Sequence, residues 1–294
     1  MSAQIDFAKY DIVHCGISGG KDSQSAATWL VQDSGCPRDK IRLSFNDTGN
    51  EHQLTYEHIQ QIAQWLDTPI ETLRAPLDFY KLAEKKKRFP SAKARFCTEY
   101  LKMRVSQEYI LAWMQADKNV LLITGIRHAE SLARSELKQF DFDTYYACDV
   151  YRPIIDWTKA QVFEYIKAKG QYANPLYALG AQRVGCLPCI MSRKKEIRMV
   201  ADLFPERIDM IEQWENKIGA GGSSFFHATM VPKRFRRKEF HKMDGKPWMV
   251  CSIRDVVDWS HTAKGGKYYD SGPQDHFDFL EDAPTCINNS GACE

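Results

Sequence analysis

Two stretches of the chain place reactive side chains at spacings that suit definite chemistry. The first is Ser18-Gly19-Gly20-Lys21-Asp22-Ser23. Adjacent glycines let a backbone approach a ligand with no Cβ in the way, so successive N–H groups can turn toward one anion. Lys21 adds a mobile positive charge, and Ser18 and Ser23 add hydroxyl donors. A phosphate fits such a set, above all where the loop opens a helix whose dipole points its positive end at the same place. The second stretch is Cys186-Leu187-Pro188-Cys189. It brings two thiolates within reach of one metal ion or cluster, and Pro188 stiffens the turn between them. One pair fills only half of a four-ligand site. A redox-active Cys186/Cys189 disulfide, a zinc site and simple packing all stay open on this spacing.

Other residues could serve the same site. Arg127 and Arg134 flank Glu130 and can grip phosphate or sulfate oxygens in a bidentate way that lysine cannot. A salt-bridged surface face is their bland alternative. Lys102 reads equally well as a surface lysine. His14, inside a strand, reads as a core histidine, whereas His52 and His128 fall in loops open to the crevice. Cys15, Cys36, Cys148 and Cys251 have no partner at ligand spacing and read as packing or surface residues.

Positioning these groups requires a scaffold, and the order of apolar runs supplies one. Residues 11–17 read as a buried strand leading through the glycine loop into a helix. A second strand, 41–45, ends at Asp47-Thr48-Gly49, and 54–66 then repeats apolar residues at helical intervals. Residues 119–125 give another strand and 157–169 another helix. Alternation of this kind predicts an α/β fold with a doubly wound, mostly parallel, Rossmann-like sheet whose loops bind ligands at the carboxyl ends of the strands. Beyond residue 193 the rhythm changes to one long charged helix, 194–218, and then to a Gly-, aromatic- and base-rich region. We therefore divide the chain into a nucleotide-binding domain, 1–193, and an α-rich C-terminal extension, 194–294.

Composition narrows the class. The chain of 294 residues, 44% hydrophobic, can bury a large core. No apolar run nears the roughly 20 residues that cross a bilayer, and the N-terminus lacks a signal-peptide pattern, so a cytoplasmic protein with no membrane partner is expected. Nine cysteines then argue for thiol or metal chemistry rather than disulfides. A net charge of +2 predicts no nucleic-acid partner by itself. Two basic clusters, Lys85-Lys86-Lys87-Arg88 and Lys233 to Lys238, read as solvated faces or phosphate contacts ahead of a nucleic-acid groove.

The six-residue loop resembles that of the PP-loop, or adenine nucleotide alpha-hydrolase-like, superfamily. Further segments resemble its phosphoadenylyl-sulfate (PAPS) and adenylyl-sulfate reductases: Asp47-Thr48-Gly49, Arg95-Phe96-Cys97-Thr98 with Lys102, Gly125-Ile126-Arg127 with Glu130 and Arg134, Pro153 to Trp157, and Asn174 to Tyr177 leading to Gly185 through Cys189. The resemblance implies an adenine nucleotide (phosphoadenylyl sulfate, adenylyl sulfate or ATP) on residues 18–23, with Asp47, Thr48 and Gly49 in the same crevice, Arg127 and Arg134 at the anion, and Lys21 in the catalytic set. It also implies a 4Fe–4S cluster on Cys97, Cys186 and Cys189. Thr98 stands where the second of a tandem cysteine pair would be, so Cys286 of the tail is the candidate fourth ligand. The reductases' acidic-Cys-Gly motif is missing, which leaves Cys293 or Cys286 as the nucleophile.

Three functions follow. The first is reduction of a sulfated nucleotide with a thioredoxin-like dithiol donor. In the second, ATP with magnesium adenylates an acceptor, such as nucleic acid, and sulfur from a cluster, a cysteine or a sulfur-donor protein displaces AMP. The third is a non-catalytic nucleotide-binding subunit. A homodimer is compatible with each.

Overall fold

The computed structural model describes residues 5–218, 223–241 and 247–263. Its centre is a six-stranded sheet in the order β3-β2-β1-β4-β6-β5. The strands are β1 (Ile12–Gly16), β2 (Ile41–Asp47), β3 (Ile70–Arg74), β4 (Val120–Ile123), β5 (Phe140–Asp143) and β6 (Cys148–Tyr151). All neighbours pair in parallel except β5, which runs antiparallel along the edge. From β1 the chain winds outward through β2 and β3, then returns to place β4 on the other side of β1. The carboxyl ends of β1 and β4 therefore flank the topological switch point, where open α/β sheets bind ligands.

Successive side chains of a strand face opposite layers, and β1 shows what each layer holds. Val13 and Cys15 pack with Ala26, Ala27 and Leu30 of α1 (Lys21–Gln32) and with Ile62 and Leu66 of α2 (Gln53–Leu66). Ile12, on the opposite face, joins Val120, Leu122, Val150 and Ile110. That layer follows a short α3 (Phe79–Lys85): α4 (Phe96–Thr98) passes through a π-helical turn, Glu99–Met103, into α5 (Arg104–Gln115). The short α6 (Leu132–Ser135) follows β4, and α7 (Lys159–Ala168), started by a Thr158/Gln161 capping box, packs beside α1.

The long charged helix expected over 194–218 is two helices, α8 (Lys194–Leu203) and α9 (Pro205–Ile218). Pro205 supplies no N–H and cannot continue a preceding helix, but it suits the first position of a new one. A two-stranded hairpin of β7 (Lys238–His241) and β8 (Pro247–Val250) and then α10 (Ile253–Ser260) follow. Val200, Ile208, Ile211, Phe225 and Phe226 share one apolar cluster with Phe79, Leu101 and Leu187. Residues on both sides of position 193 thus pack together. Among the described residues no helix is long and apolar enough to cross a membrane.

Candidate active site

The glycine loop leaves β1 and starts α1 at Gly20, whose backbone is extended and which brings no capping side chain to the first-turn amides. Gly19 takes φ +80°, and a Cβ there would stand 2.7 Å from the Thr55 methyl, so both backbone and space require glycine. Ser18 and Ser23 brace the loop from within. Their hydroxyls lie 3.0 Å apart, the Gly20 N–H donates to Ser18 Oγ at 3.2 Å, and Ser23 Oγ donates to the Gly20 carbonyl at 3.0 Å. The serines expected as ligand donors are thus also structural members of the turn.

A second segment clamps the loop from outside. Asn174 Nδ2 donates to the Gly19 carbonyl at 3.3 Å, and the Lys21 N–H donates to the Tyr177 hydroxyl at 3.1 Å. Gln171, three residues upstream of Asn174, is buried and accepts from Gln24 of α1 at 3.0 Å and from Thr28 at 3.1 Å. The loop therefore has a prebuilt shape, which lowers the ordering cost of binding.

The expectation of a mobile charge at Lys21 is corrected here. Its side chain is buried and ion-paired with one oxygen of Asp22, while Arg127 Nε donates to the other oxygen at 2.6 Å. All three side chains are at most 8% exposed. Burial favours such charges only when they are paired, and two cations on one carboxylate leave a formal +1 among the three, which attracts an anion. Arg127 reaches Asp22 because Gly125, at the end of β4, lets the backbone of α1 lie against it. A Cβ on Gly125 would come within 2.5 Å of the Asp22 carbonyl oxygen. Arg134 pairs with Glu130, which also accepts the Arg127 N–H at 2.8 Å, so Arg134 supports the strand-end turn.

At the end of β2, Asp47 is tied to its own neighbourhood. Tyr56 donates to it at 2.7 Å, Arg74 at 2.8 Å and the Gly49 N–H at 2.9 Å. Thr48 is directed toward the cysteines. It donates to Glu51 at 2.8 Å and lies 3.4 Å from Cys186 Sγ. Cys97, Cys186 and Cys189 line one cleft with Thr48, Arg95, Lys102 and Arg183. The Cys186–Cys189 turn is held from two sides: the Leu187 N–H donates to the Asn50 carbonyl at 2.9 Å, and Arg207 of α9 donates to the Leu187 carbonyl at 2.7 Å and to Asn50 Oδ1 at 2.8 Å.

Burial, with Cys189 adding to it, pushes the Cys97 thiol up to about 11. Cys186 is raised by burial and by the Glu51 carboxylate, although Lys102 opposes the rise. Both thiols stay protonated near neutral pH unless a cation ionises them, as a metal does on binding. Among the described residues no group of three or more His, Cys, Asp or Glu side chains could hold a single metal ion. Cys286 and Cys293 lie outside the described residues.

The histidines take structural places. His14 is buried with Nε2 2.8 Å from Ser44 Oγ, and desolvation lowers it to about 4. His52 caps α2, accepting the Leu54 N–H at 3.2 Å, and His128 is held between Asp156 and the Leu137 carbonyl. His52 and His128 are only partly buried, more open than His14, yet both are already engaged by these partners. Cys15, Cys36, Cys148 and Cys251 are buried. Sequence reasoning quoted Asn174 and Tyr177 without giving them a role and missed Arg207. For the first two, the Asn-Pro helix-start signal followed by an aromatic was available; nothing local marks Arg207.

Residues 13–192 match the family model for the phosphoadenosine phosphosulfate reductase domain. The chain is 32% identical to an uncharacterized 37.8 kDa protein in the gpa 5′ region of Escherichia phage 186, over 90% of this chain and 92% of that protein. An uncharacterized protein of Methanocaldococcus jannaschii is 29% identical over 66% of this chain, which spans 45% of that relative's length. Adenosine 5′-phosphosulfate reductase of Burkholderia cepacia is 40% identical over 67 residues, covering 23% of this chain and 27% of the enzyme. Among solved structures, phosphoadenylyl-sulfate reductase from Candida auris in its phosphate complex aligns with a TM-score of 0.49 at 17% identity, over 62% of this chain and 84% of that one.

Proposed function

The chain belongs to the phosphoadenosine phosphosulfate reductase domain family, and we propose that it is an enzyme that binds a sulfated adenine nucleotide at residues 18–23 and reduces its sulfur with cysteine thiols. One observation carries this reading. The segment that clamps the phosphate loop through Asn174 and Tyr177 runs on into Cys186 and Cys189, so one stretch of chain joins the anion site to the thiol-lined cleft.

The loop amides, Lys21 and Arg127 hold the phosphates and orient the nucleotide. A thiolate from the tail, Cys293, attacks the terminal sulfur; the S–O bond to the nucleotide breaks and its phosphate oxygen takes the electron pair. An external dithiol of the thioredoxin class then releases sulfite and is oxidised to a disulfide. Cys97, Cys186, Cys189 and Cys286 would hold a 4Fe–4S cluster, which would keep these cysteines ionised. A second reading is favoured by the same cradle, because the formal +1 shared by Lys21, Asp22 and Arg127 attracts the polyphosphate of ATP as readily as a sulfated nucleotide. The enzyme would then adenylate an acceptor for later attack by sulfur.

The test is anaerobic calorimetry with adenylyl sulfate, phosphoadenylyl sulfate and ATP with magnesium, with a visible spectrum, metal content and product assays on the same sample. Tighter binding of a sulfated nucleotide and dithiol-dependent sulfite release are expected. Preference for ATP with pyrophosphate release would replace the first reading by the second. Binding without any turnover would leave the chain a nucleotide-binding subunit, and no binding would sink all three.

A further inference from the structure

The cleft that holds the three cysteines has an unusually cationic rim. Residues 85–104 contain eight Lys or Arg and one acid, Glu99, a net +7 within a chain whose total is +2. The fold brings this charge to one place. Arg95, Cys97, Thr98 and Lys102 line the cleft, so the segment forms part of its wall. Just outside, Lys86 Nζ lies 4.7 Å and the Arg104 guanidinium 4.1 Å from the centre of the Tyr100 ring, and Arg88 lies 5.6 Å from that of Phe96. These contacts fix three cations against the short helix and π turn that carry Cys97 and Lys102. Lys85, Lys86, Lys87, Arg88, Lys93 and Arg104 are all exposed. Among the described residues, only Arg104 of those six has an acidic partner, Glu99.

Concentrating like charge costs self-repulsion, and a small nucleotide does not need it, because Lys21 and Arg127 already supply cations at the phosphate cradle. A row of exposed cations leading to a cleft is instead matched by a polymer that carries one phosphate per unit. We propose that the rim formed by residues 85–104 binds the phosphodiester backbone of a nucleic acid and brings it to the mouth of the cysteine cleft. The inference goes beyond the reductase reading, which needs no polymeric partner, and does not depend on which nucleotide the loop prefers.

The experiment is fluorescence anisotropy with the full chain and a fluorescein-labelled duplex DNA of about 20 base pairs, one charge lying every ~1.7 Å along its axis. With about four phosphates neutralised, affinity should fall by about 10²-fold between about 50 and 200 mM salt. The variant Lys85→Glu/Lys87→Glu/Lys93→Glu changes three exposed residues outside the nucleotide site. It should lose at least about tenfold in DNA affinity while its melting curve and its nucleotide calorimetry match the wild type. Salt-independent binding, no binding at the lower salt, or wild-type affinity in the variant would overturn the proposal. So would binding to vesicles containing phosphatidylserine without binding to DNA, since the rim would then serve a membrane surface.

Discussion

Gly125→Ala tests whether the contact between β4 and the start of α1 sets the phosphate site. Glycine at this position has no special backbone requirement, so alanine changes only the space it fills. The added methyl would stand 2.5 Å from the Asp22 carbonyl oxygen, 2.6 Å from its carbon and 2.8 Å from the Ser23 nitrogen. All three atoms are backbone, and no rotamer change can relieve them. Ordinary contact begins at 3.4 Å, so the first turn of α1 must retreat by about 0.9 Å. Overpacking of this kind costs about 1–3 kcal/mol of stability. The retreat also pulls Asp22 from Arg127 and misplaces the loop amides, and a shift near 1 Å can cost up to about 10²-fold where donors must meet a ligand in fixed geometry. Urea denaturation and nucleotide calorimetry on one preparation measure both effects. Gly16→Ala is the control: nothing lies within 4 Å of the added methyl, and stability should stay within about 0.5 kcal/mol of wild type. A Gly125→Ala protein that melts and binds nucleotide like wild type would refute the placement of β4 against the loop.

The buried triad should respond unequally to its two cations. Arg127→Ala removes from a carboxylate that is 3% exposed the cation that ties it to a segment 105 positions away and to the Trp157 carbonyl, and breaking such a buried pair costs about 3–5 kcal/mol; Lys21→Ala removes only the sequence neighbour of Asp22, keeps that long-range tie, and should lose nucleotide affinity with a smaller fall in stability, as calorimetry and thermal melts on the two variants would reveal. Acid should weaken the fold through its buried histidines. His14 and His58 are each lowered to about 4 by desolvation, from 6.5. The unfolded chain therefore takes up protons first, and stability that is complete above pH 6.5 declines as the pH falls toward 4. At pH about 5.5 each histidine should cost roughly 1.4 kcal/mol, and a His14→Gln variant should show about half the pH slope in urea melts over this window.

Legibility in the sequence followed locality. The loop could be read because every property of an anion cradle, from glycine freedom to helix start, is written in six consecutive residues. The doubly wound sheet could be read because buried parallel strands are short apolar runs such as Val120 to Ile123, all four of which are buried. Arg127 was found by its place after a strand, but its bond to Asp22 spans 105 positions and has no sequence signal. Charge type alone does not reveal pairing: Lys21 and Asp47 are each bonded to neighbours, and composition does not say which charged side chains are engaged in this way. The single helix expected over 194–218 failed at Pro205, where the breaker was present and the periodicity outweighed it.

The cysteine cleft shows how far distant parts of the chain depend on one another. Cys97 comes from the layer beneath the sheet and Cys186 and Cys189 from a turn that follows the nucleotide clamp. The turn's position is set by Asn50, after β2, and by Arg207, which is 157 residues from Asn50 and belongs to the extension. Spacing within Cys186-Leu187-Pro188-Cys189 reveals that two thiols are close; it does not say what holds them against the third. That task falls to a guanidinium with two backbone carbonyls and one side-chain oxygen as partners, Leu187 O, Asn50 O and Asn50 Oδ1. Since Arg207 sits on the helix that Pro205 starts, the break in the predicted long helix aims the extension at the turn. The extension is therefore part of the cleft's construction, and a chain cut at residue 193 would lose both the Arg207 clamp and the extension's share of the apolar cluster under Leu187.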